Sequence, residues 1–187
     1  MSGQEYTLYL IRHATPDFNR HDLVYYLPPG PPLTPKGEQE AIALAEYLKG
    51  AGIAGLYSSP LERCLRTAQA VSQAAGLPVS IEPGLAEARP GESEPELRAR
   101  VWPVWEKAVK ACQKLDRPAA LVTHGAPIGL LLKDLGLEDA ATSLYRRQFD
   151  HNNPVPPAGV WKAARAPGAE QWRLELVFMP SAEKIIP

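Results

Sequence analysis

Apolar residues follow two rhythms along this chain. Short unbroken runs at Thr7–Ile11, Ile53–Tyr57, Leu77–Ile81 and Ala119–Thr123 predict four buried strands. Between them, apolar residues recur at helical spacing. Ala41, Leu44, Ala45 and Leu48 predict a helix with Thr34 as N-cap, Pro35 at its first position and Gly50 and Gly52 as its stop. Leu61, Leu65, Ala68 and Val71 predict a second helix, opened by Ser58-Ser59-Pro60 and closed near Gly76. Val101, Trp105, Ala108 and Cys112 predict a long third helix over Glu96–Leu115, with a bend or an early turn at Pro103. A fourth helix is expected over Pro127–Leu135, then two further strands at Val160–Ala164 and Trp172–Met179, an antiparallel pair. The segments Pro16–Leu33, Pro83–Pro95 and Gln148–Pro157 read as loops.

Apolar strands alternating with amphipathic helices indicate an α/β fold, a three-layer α/β/α sandwich around a mainly parallel sheet. The 187 residues suit one domain spanning 1–187, and the proline-rich Asn152–Pro157 connection reads as a link inside it. The 20 basic and 21 acidic residues nearly cancel, which argues against a broad polyanion surface and so against a nucleic-acid partner. Any anion site must be local. No run approaches the roughly 18 apolar residues of a membrane helix, and the start MSGQEYTLYLIRH lacks the pattern of a signal peptide. The two cysteines, Cys64 and Cys112, form neither a close pair nor a metal spacing, so a reducing cytoplasm is the expected setting.

In a parallel sheet of this kind, ligands bind beyond the carboxyl ends of the strands. That rule collects Arg12 and His13 after the first strand, and Ser58, Ser59 and then Arg63 after the second. Glu87 follows the third, and His124 and Gly125 the fourth. Two arginines at one edge suit a dianion, because each guanidinium presents a fixed fork of donors that matches phosphate oxygens. His124 precedes a helix whose N-terminal N–H groups also favour an anion. His13 is then placed to attack phosphorus, His124 to donate a hydrogen bond to developing charge, and Glu87 to protonate the departing alkoxide. This scheme calls for no metal and no cofactor. The bland readings are an Arg-His surface pair, an acidic loop around Glu87, and helix-starting roles for Ser58 and Ser59. His21 and His151 are lone loop histidines with no assigned role, and Tyr25 and Tyr26 are candidates only to line a pocket.

The motifs, taken in order, resemble one family. Leu10-Ile11-Arg12-His13-Ala14-Thr15 is similar to the arginine-histidine-glycine signature of the histidine phosphatase superfamily, which includes cofactor-dependent phosphoglycerate mutases. Leu33-Thr34-Pro35-Lys36-Gly37, Ser58-Ser59-Pro60-Leu61-Glu62-Arg63 with Arg66-Thr67-Ala68, Leu85-Ala86-Glu87, Gly91-Glu92-Ser93 with Arg100-Val101, and Thr123-His124-Gly125 resemble its later segments. The resemblance implies a phosphoglycerate mutase-like fold and a phosphorylated nucleophile at His13. It implies phosphate binding by Arg12, Arg63, His124 and Asn19, and proton donation by Glu87. Three departures stand out. Ala14 replaces the family's glycine, Thr15 sits one position early, and Glu87 is nearly adjacent to Gly91 where mutases carry a long covering insertion. The expected reaction is therefore hydrolysis of a small phosphorylated metabolite, with nucleoside-type esters included. Phosphoglycerate mutase, protein phosphohistidine phosphatase and a silent phosphate-binding regulator are the competing readings. Oligomeric state is not legible.

Overall fold

Each residue of the strand Ala119–Thr123 (β4) is buried, and its side chains divide between two cores. Ala119 and Leu121 face one side and Ala120 and Val122 the other, as the two-residue period of a strand requires. The computed structural model describes residues 5–180. Around β4 lie Tyr6–Arg12 (β1), Gly55–Ser58 (β2), Ser80–Ile81 (β3), Val160–Arg165 (β5) and Arg173–Phe178 (β6), in the sheet order β3-β2-β4-β1-β5-β6. The first four strands of that order run parallel, while β5 is antiparallel to β1 and β6 to β5.

Helices Pro35–Leu48 (α1) and Glu62–Ala75 (α2) cover one face through Leu44, Leu48, Ala68 and Val71. Helices Glu94–Leu115 (α3) and Gly125–Asp134 (α4) cover the other through Val101, Trp105, Ala108, Ile128 and Leu131. The expected three-layer α/β/α architecture is thus present, with a mixed sheet whose antiparallel part is the predicted closing pair.

Thr34 caps α1 as its side chain accepts from the Gly37 N–H at 3.0 Å, with Pro35 opening the helix. Gly76 ends α2 in the left-handed conformation. Several boundaries differ from expectation, each for a local reason. The strand expected from Leu77 shrinks to Ser80–Ile81, because Pro78 has no N–H to give a ladder. The helix α2 starts after Leu61, so Ser58 and Ser59 do not open it: Ser58 ends β2, and Ser59 is spent elsewhere. Leu65, expected inward on α2, is only half-buried. The helix α3 begins at Glu94 because Ser93 and Glu96 form a reciprocal capping box, and it runs on through Pro103.

One helix was not anticipated. Asp139–Gln148 (α5) lies in a segment expected to carry no element, and a 3-10 turn at Asp150–Asn152 follows it. Its apolar stripe is short, Ala141, Leu144 and Tyr145, and Leu144 is half exposed. Its attachment comes from Tyr145, which meets Trp161 of β5 edge-on at 5.0 Å.

Candidate active site

Sheet register puts the two histidines side by side. β1 and β4 pair in parallel with Arg12 opposite Thr123, and the His13 N–H extends that ladder to the Thr123 carbonyl at 2.9 Å. The next residues, His13 and His124, leave the sheet together, with ring centroids 5.1 Å apart. On the other side of β4, Ser59 N–H bonds the Val122 carbonyl at 3.0 Å, which carries the Ser59 hydroxyl to 2.8 Å from His124 Nε2. Arg63, in the first turn of α2, is fully buried and sends Nη2 to His124 Nδ1 at 3.1 Å. The link after β3 brings Glu87 to 3.5 Å from His124 Nδ1.

These contacts fix where protons sit. His13 Nδ1 lies 2.8 Å from the Ala14 carbonyl, which can only accept, so Nδ1 carries the hydrogen and Nε2 keeps its lone pair. Burial, with the Arg63 and Arg12 charges, pushes the His13 pKa well below the ordinary histidine value. His124 is likewise held neutral by burial and then by Arg63 and His13. Its Nδ1 accepts from Arg63, so its proton is on Nε2 and goes to the Ser59 hydroxyl. Glu87 moves the other way. Burial raises its pKa, although the Ala88 N–H and the Arg63, Arg12 and Arg100 charges all oppose the rise.

The positive charge is buried too. Arg12 is 2% exposed and Arg63 0%. Arg63 Nη1 donates to the Tyr25 carbonyl at 2.9 Å, and its guanidinium lies 4.0 Å over the Tyr25 ring. Arg12 gives Nη1 and Nη2 to the two Asp150 oxygens at 2.6 and 2.8 Å, and Nη1 also to the Val155 carbonyl at 3.0 Å. Among the described residues, the buried side-chain nitrogens without a hydrogen-bond partner are Arg12 Nε and Arg63 Nε. Buried guanidinium donors normally find partners, so two orphans at one site mark a place for an acceptor.

His13, Glu87 and His124 also bring one ligand atom each within 4.8 Å of one another, a grouping that could hold a cation. Their separation along the chain hid this from any spacing rule. The charge argument points the other way: Arg63 touches His124 directly, and a second buried guanidinium stands beside His13, so the potential here favours an anion.

A cleft of about 410 Å³ opens on these groups, lined by Arg12, His13, Phe18, Tyr25, Glu87, Gly125, Ala126, His151 and Asn153. Its Gly125–Ala126 wall is the N-terminus of α4. Of the sequence candidates, Arg12, His13 and Glu87 line it, and Arg63 and His124 sit buried directly behind. Asn19 does not join them: it is exposed in the loop after Phe18 and is absent from the lining. Arg66 is a surface residue paired with Glu38 at 3.1 Å.

The family model for the histidine phosphatase superfamily (branch 1) matches residues 8–96. A Salmonella arizonae protein named "Probable phosphoglycerate mutase GpmB" is 34% identical over 164 residues, covering 68% of this chain and 74% of that protein. This chain belongs to the histidine phosphatase superfamily. A protein of the same name from Escherichia fergusonii is 37% identical over 87 residues, covering 46% of this chain and only 40% of that protein. Among solved structures, phosphoglycerate mutase from Bacillus anthracis shares the fold at a TM-score of 0.75 and 19% identity, covering 94% of each chain. Mycobacterial glucosyl-3-phosphoglycerate phosphatase does so at 0.69 and 22%, covering 92% of this chain and 98% of that one.

Against the superfamily pattern, the departures have local explanations. Ala14 is not among the positive-φ residues, so no glycine is needed there; its methyl group is buried and its N–H bonds Thr67 Oγ1 at 3.0 Å. Thr15 turns away from the cleft, giving its hydroxyl and N–H to Glu40 at 2.9 and 2.8 Å. Sequence reasoning missed four contributors. Ser59 is a partner of His124. Arg100 binds the Gly84, Ala86 and Glu87 carbonyls and the Glu92 carboxylate, and so braces the loop that carries Glu87. His151 and Asn153 line the cleft from the unpredicted turn. Two of them carried a signal: Ser59 stands at the end of β2 but read as a helix start, and the Arg100 segment read as the start of a long helix.

Proposed function

We propose that this chain hydrolyses the phosphomonoester of a small metabolite through a phosphohistidine at His13. The observation that carries the reading is the state of His13: neutral, with Nδ1–H tied to the Ala14 carbonyl and Nε2 free, beside two buried guanidiniums. In the first step, the Nε2 lone pair forms a bond to phosphorus as the ester P–O bond breaks. The departing oxygen takes the proton of Glu87, whose burial raises its pKa and so favours the acid form. In the second step, Glu87 takes a proton from water, the water oxygen bonds to phosphorus and the P–N bond breaks, restoring His13 and releasing phosphate. Arg12, Arg63 and the N-terminus of α4 hold the phosphoryl oxygens. The dianion offsets the arginine charges that add to burial in keeping His124 neutral; if Arg63 Nη2 turns from His124 Nδ1 to a phosphoryl oxygen, Nδ1 can take a proton from solvent and donate as negative charge develops.

Water rather than a second hydroxyl is the favoured acceptor because Glu87 and Gly91 are joined by only Ala88, Arg89 and Pro90, with no covering segment. Phe18 on the rim is 44% exposed, which leaves the cleft open to solvent. The test is phosphate release from an aryl phosphate and a panel of metabolite phosphates, with chelator present, for wild type and His13→Ala. Brief reaction and acid-free quenching should trap an acid-labile, base-stable phosphoenzyme in wild type alone. No turnover by folded wild type would overturn the reading. Activity that requires a bisphosphate primer would replace it with a mutase, and phosphate binding without turnover would replace it with a regulator.

A further inference from the structure

We propose that Asp150 is a positioning residue for Arg12, and that the turn after α5 thereby completes the phosphate site. The inference rests on the phosphoryl-transfer reading above. A guanidinium has five N–H donors. Asp150 takes one from Nη1 and one from Nη2, which is the end-on edge of the group, and the Val155 carbonyl takes the second Nη1 hydrogen. Two donors are left, Nε–H and the second Nη2–H. They lie side by side on the remaining edge, spaced to meet two oxygens of one phosphate. Nε is one of the two buried side-chain nitrogens with no partner, so the edge left over is the edge that lacks an acceptor.

The carboxylate therefore does two things. It stops the guanidinium from rotating about its long side chain, and it commits the wrong edge so that the side-on fork stays free. The turn itself is built for this placement. His151 and Asn152 adopt positive φ angles of 50° and 57°, which reverse the chain sharply enough to set Asp150 under Arg12. Asn153 anchors the turn through Nδ2 to the Asp150 carbonyl at 3.0 Å, while its side chain packs on Gly125 at the start of α4. His151 reaches back to Phe18, with ring centroids 5.0 Å apart across the cleft mouth. One turn thus touches the nucleophile's neighbour, the anion-binding helix end and the rim.

Charge alone predicts the opposite sign, which makes the inference decidable. Removing a carboxylate beside a dianion site should tighten phosphate binding if Asp150 acts only through its charge, or if it competes with substrate for Arg12. Removing a positioning group should weaken it. The experiment measures inorganic phosphate binding by calorimetry, and kcat and KM on the best ester, for wild type, Asp150→Ala, Asp150→Asn, Arg12→Lys and the Asp150→Ala/Arg12→Lys pair. Asp150→Ala should raise the phosphate dissociation constant at least tenfold and lower kcat/KM by up to about a hundredfold. Asp150→Asn, which keeps one acceptor oxygen, should recover part of the loss. The double variant should be scarcely worse than Arg12→Lys alone, since both substitutions remove one fork. Unchanged or tighter phosphate binding in Asp150→Asn, or additive losses in the double variant, would overturn the proposal while leaving the phosphatase reading intact. Wild type that neither binds phosphate nor turns over any ester would overturn both. If Asp150→Ala unfolds, Asp150→Asn and its cycle with Arg12→Lys decide the question alone.

Discussion

Replacing Glu87 by Gln separates an acid from a mere wall of the cleft. The substitution is isosteric, and the structure says it should fold. Arg100 holds the loop by the Gly84, Ala86 and Glu87 carbonyls, and the Ala88 N–H needs only an acceptor oxygen, which Gln retains. What is lost is the proton. A positioned general acid contributes roughly 10²- to 10⁴-fold, or about 3–5 kcal/mol of barrier. In kcat/KM, which reports transfer to His13, that loss should fall on alkyl esters, whose alkoxide cannot leave without a proton, and should shrink to less than about tenfold on an aryl phosphate with a good leaving group; kcat should fall on both, because both share the hydrolysis step in which Glu87 is the base. The pH profile gives a second signature. Burial raises the Glu87 pKa, so the acid form is present below that raised value and is lost as pH rises through it. Wild type should therefore show an alkaline limb that Glu87→Gln lacks. A bound dianion offsets Arg63 and Arg12, both of which lower the Glu87 pKa, so the limb in kcat should lie above the limb in kcat/KM. Parallel steady-state assays on one alkyl and one aryl ester supply every number. Equal losses of kcat/KM on both esters would refute the acid role, and an alkaline limb that persists in the variant would assign it to another group.

Three further outcomes follow from the same geometry. Ser59→Ala removes the partner of the buried His124 Nε2–H, so chemical denaturation should show a loss of about 1–3 kcal/mol and turnover should fall with it. The protein should lose thermal stability as pH falls from about 7 to about 5: unfolded histidines titrate near about 6.5, the folded His13 and His124 titrate well below, and so the unfolded state takes up protons first. Glu87, raised in the fold, works in the opposite sense, and a His13→Asn/His124→Asn pair should show a flatter dependence by calorimetry. Gly37→Ala should cost roughly 1–3 kcal/mol by thermal melting, because the added Cβ would lie 2.2 Å from the Thr15 carbonyl oxygen, a backbone atom two residues from the nucleophile. A melting temperature equal to wild type would show that the α1 contact relaxes freely.

What the sequence made legible was the part governed by strand register. Arg12, His13 and His124 follow directly from apolar runs that end where the sheet ends, and the pairing of Arg12 with Thr123 does the rest. Arg63 followed because it lies one turn into a helix that starts at the same edge. The turn at Asp150–Asn153 was not legible, because it is placed by tertiary contacts. α5 has only a short apolar stripe, its hold on the sheet is Tyr145 against Trp161, and His151 sits in positive φ without being a glycine. Asn19 lies apart for the converse reason: its position along the chain matches a motif, but the loop from Pro16 to Leu33 sets Phe18 and Tyr25, stacked with centroids 5.8 Å apart, against the cleft and leaves Asn19 outside its lining. Loop paths of this kind are fixed by contacts between residues far apart in sequence, which no periodicity encodes.

The protonation states needed for catalysis share one origin. Burial lowers the basicity of His13, leaving a lone pair to attack, and raises the pKa of Glu87, leaving a proton to give. The arginines reinforce the first effect and oppose the second, so the same two charges that bind a dianion would, unopposed by burial, strip the acid of its proton. Desolvation outweighs them for Glu87, and a bound phosphoryl group would remove most of their pull. The acid is therefore best protonated when substrate is present. In the proposed cycle, departure of the alcohol would leave Glu87 ionised, placed to take the proton of the attacking water. A groove with the same residues but freely hydrated would lose both shifts, giving a partly protonated histidine and an ionised glutamate at neutral pH. Depth of burial at the end of β1 and β4, rather than the identity of the side chains alone, is what would fit this site for the phosphoryl transfer proposed above.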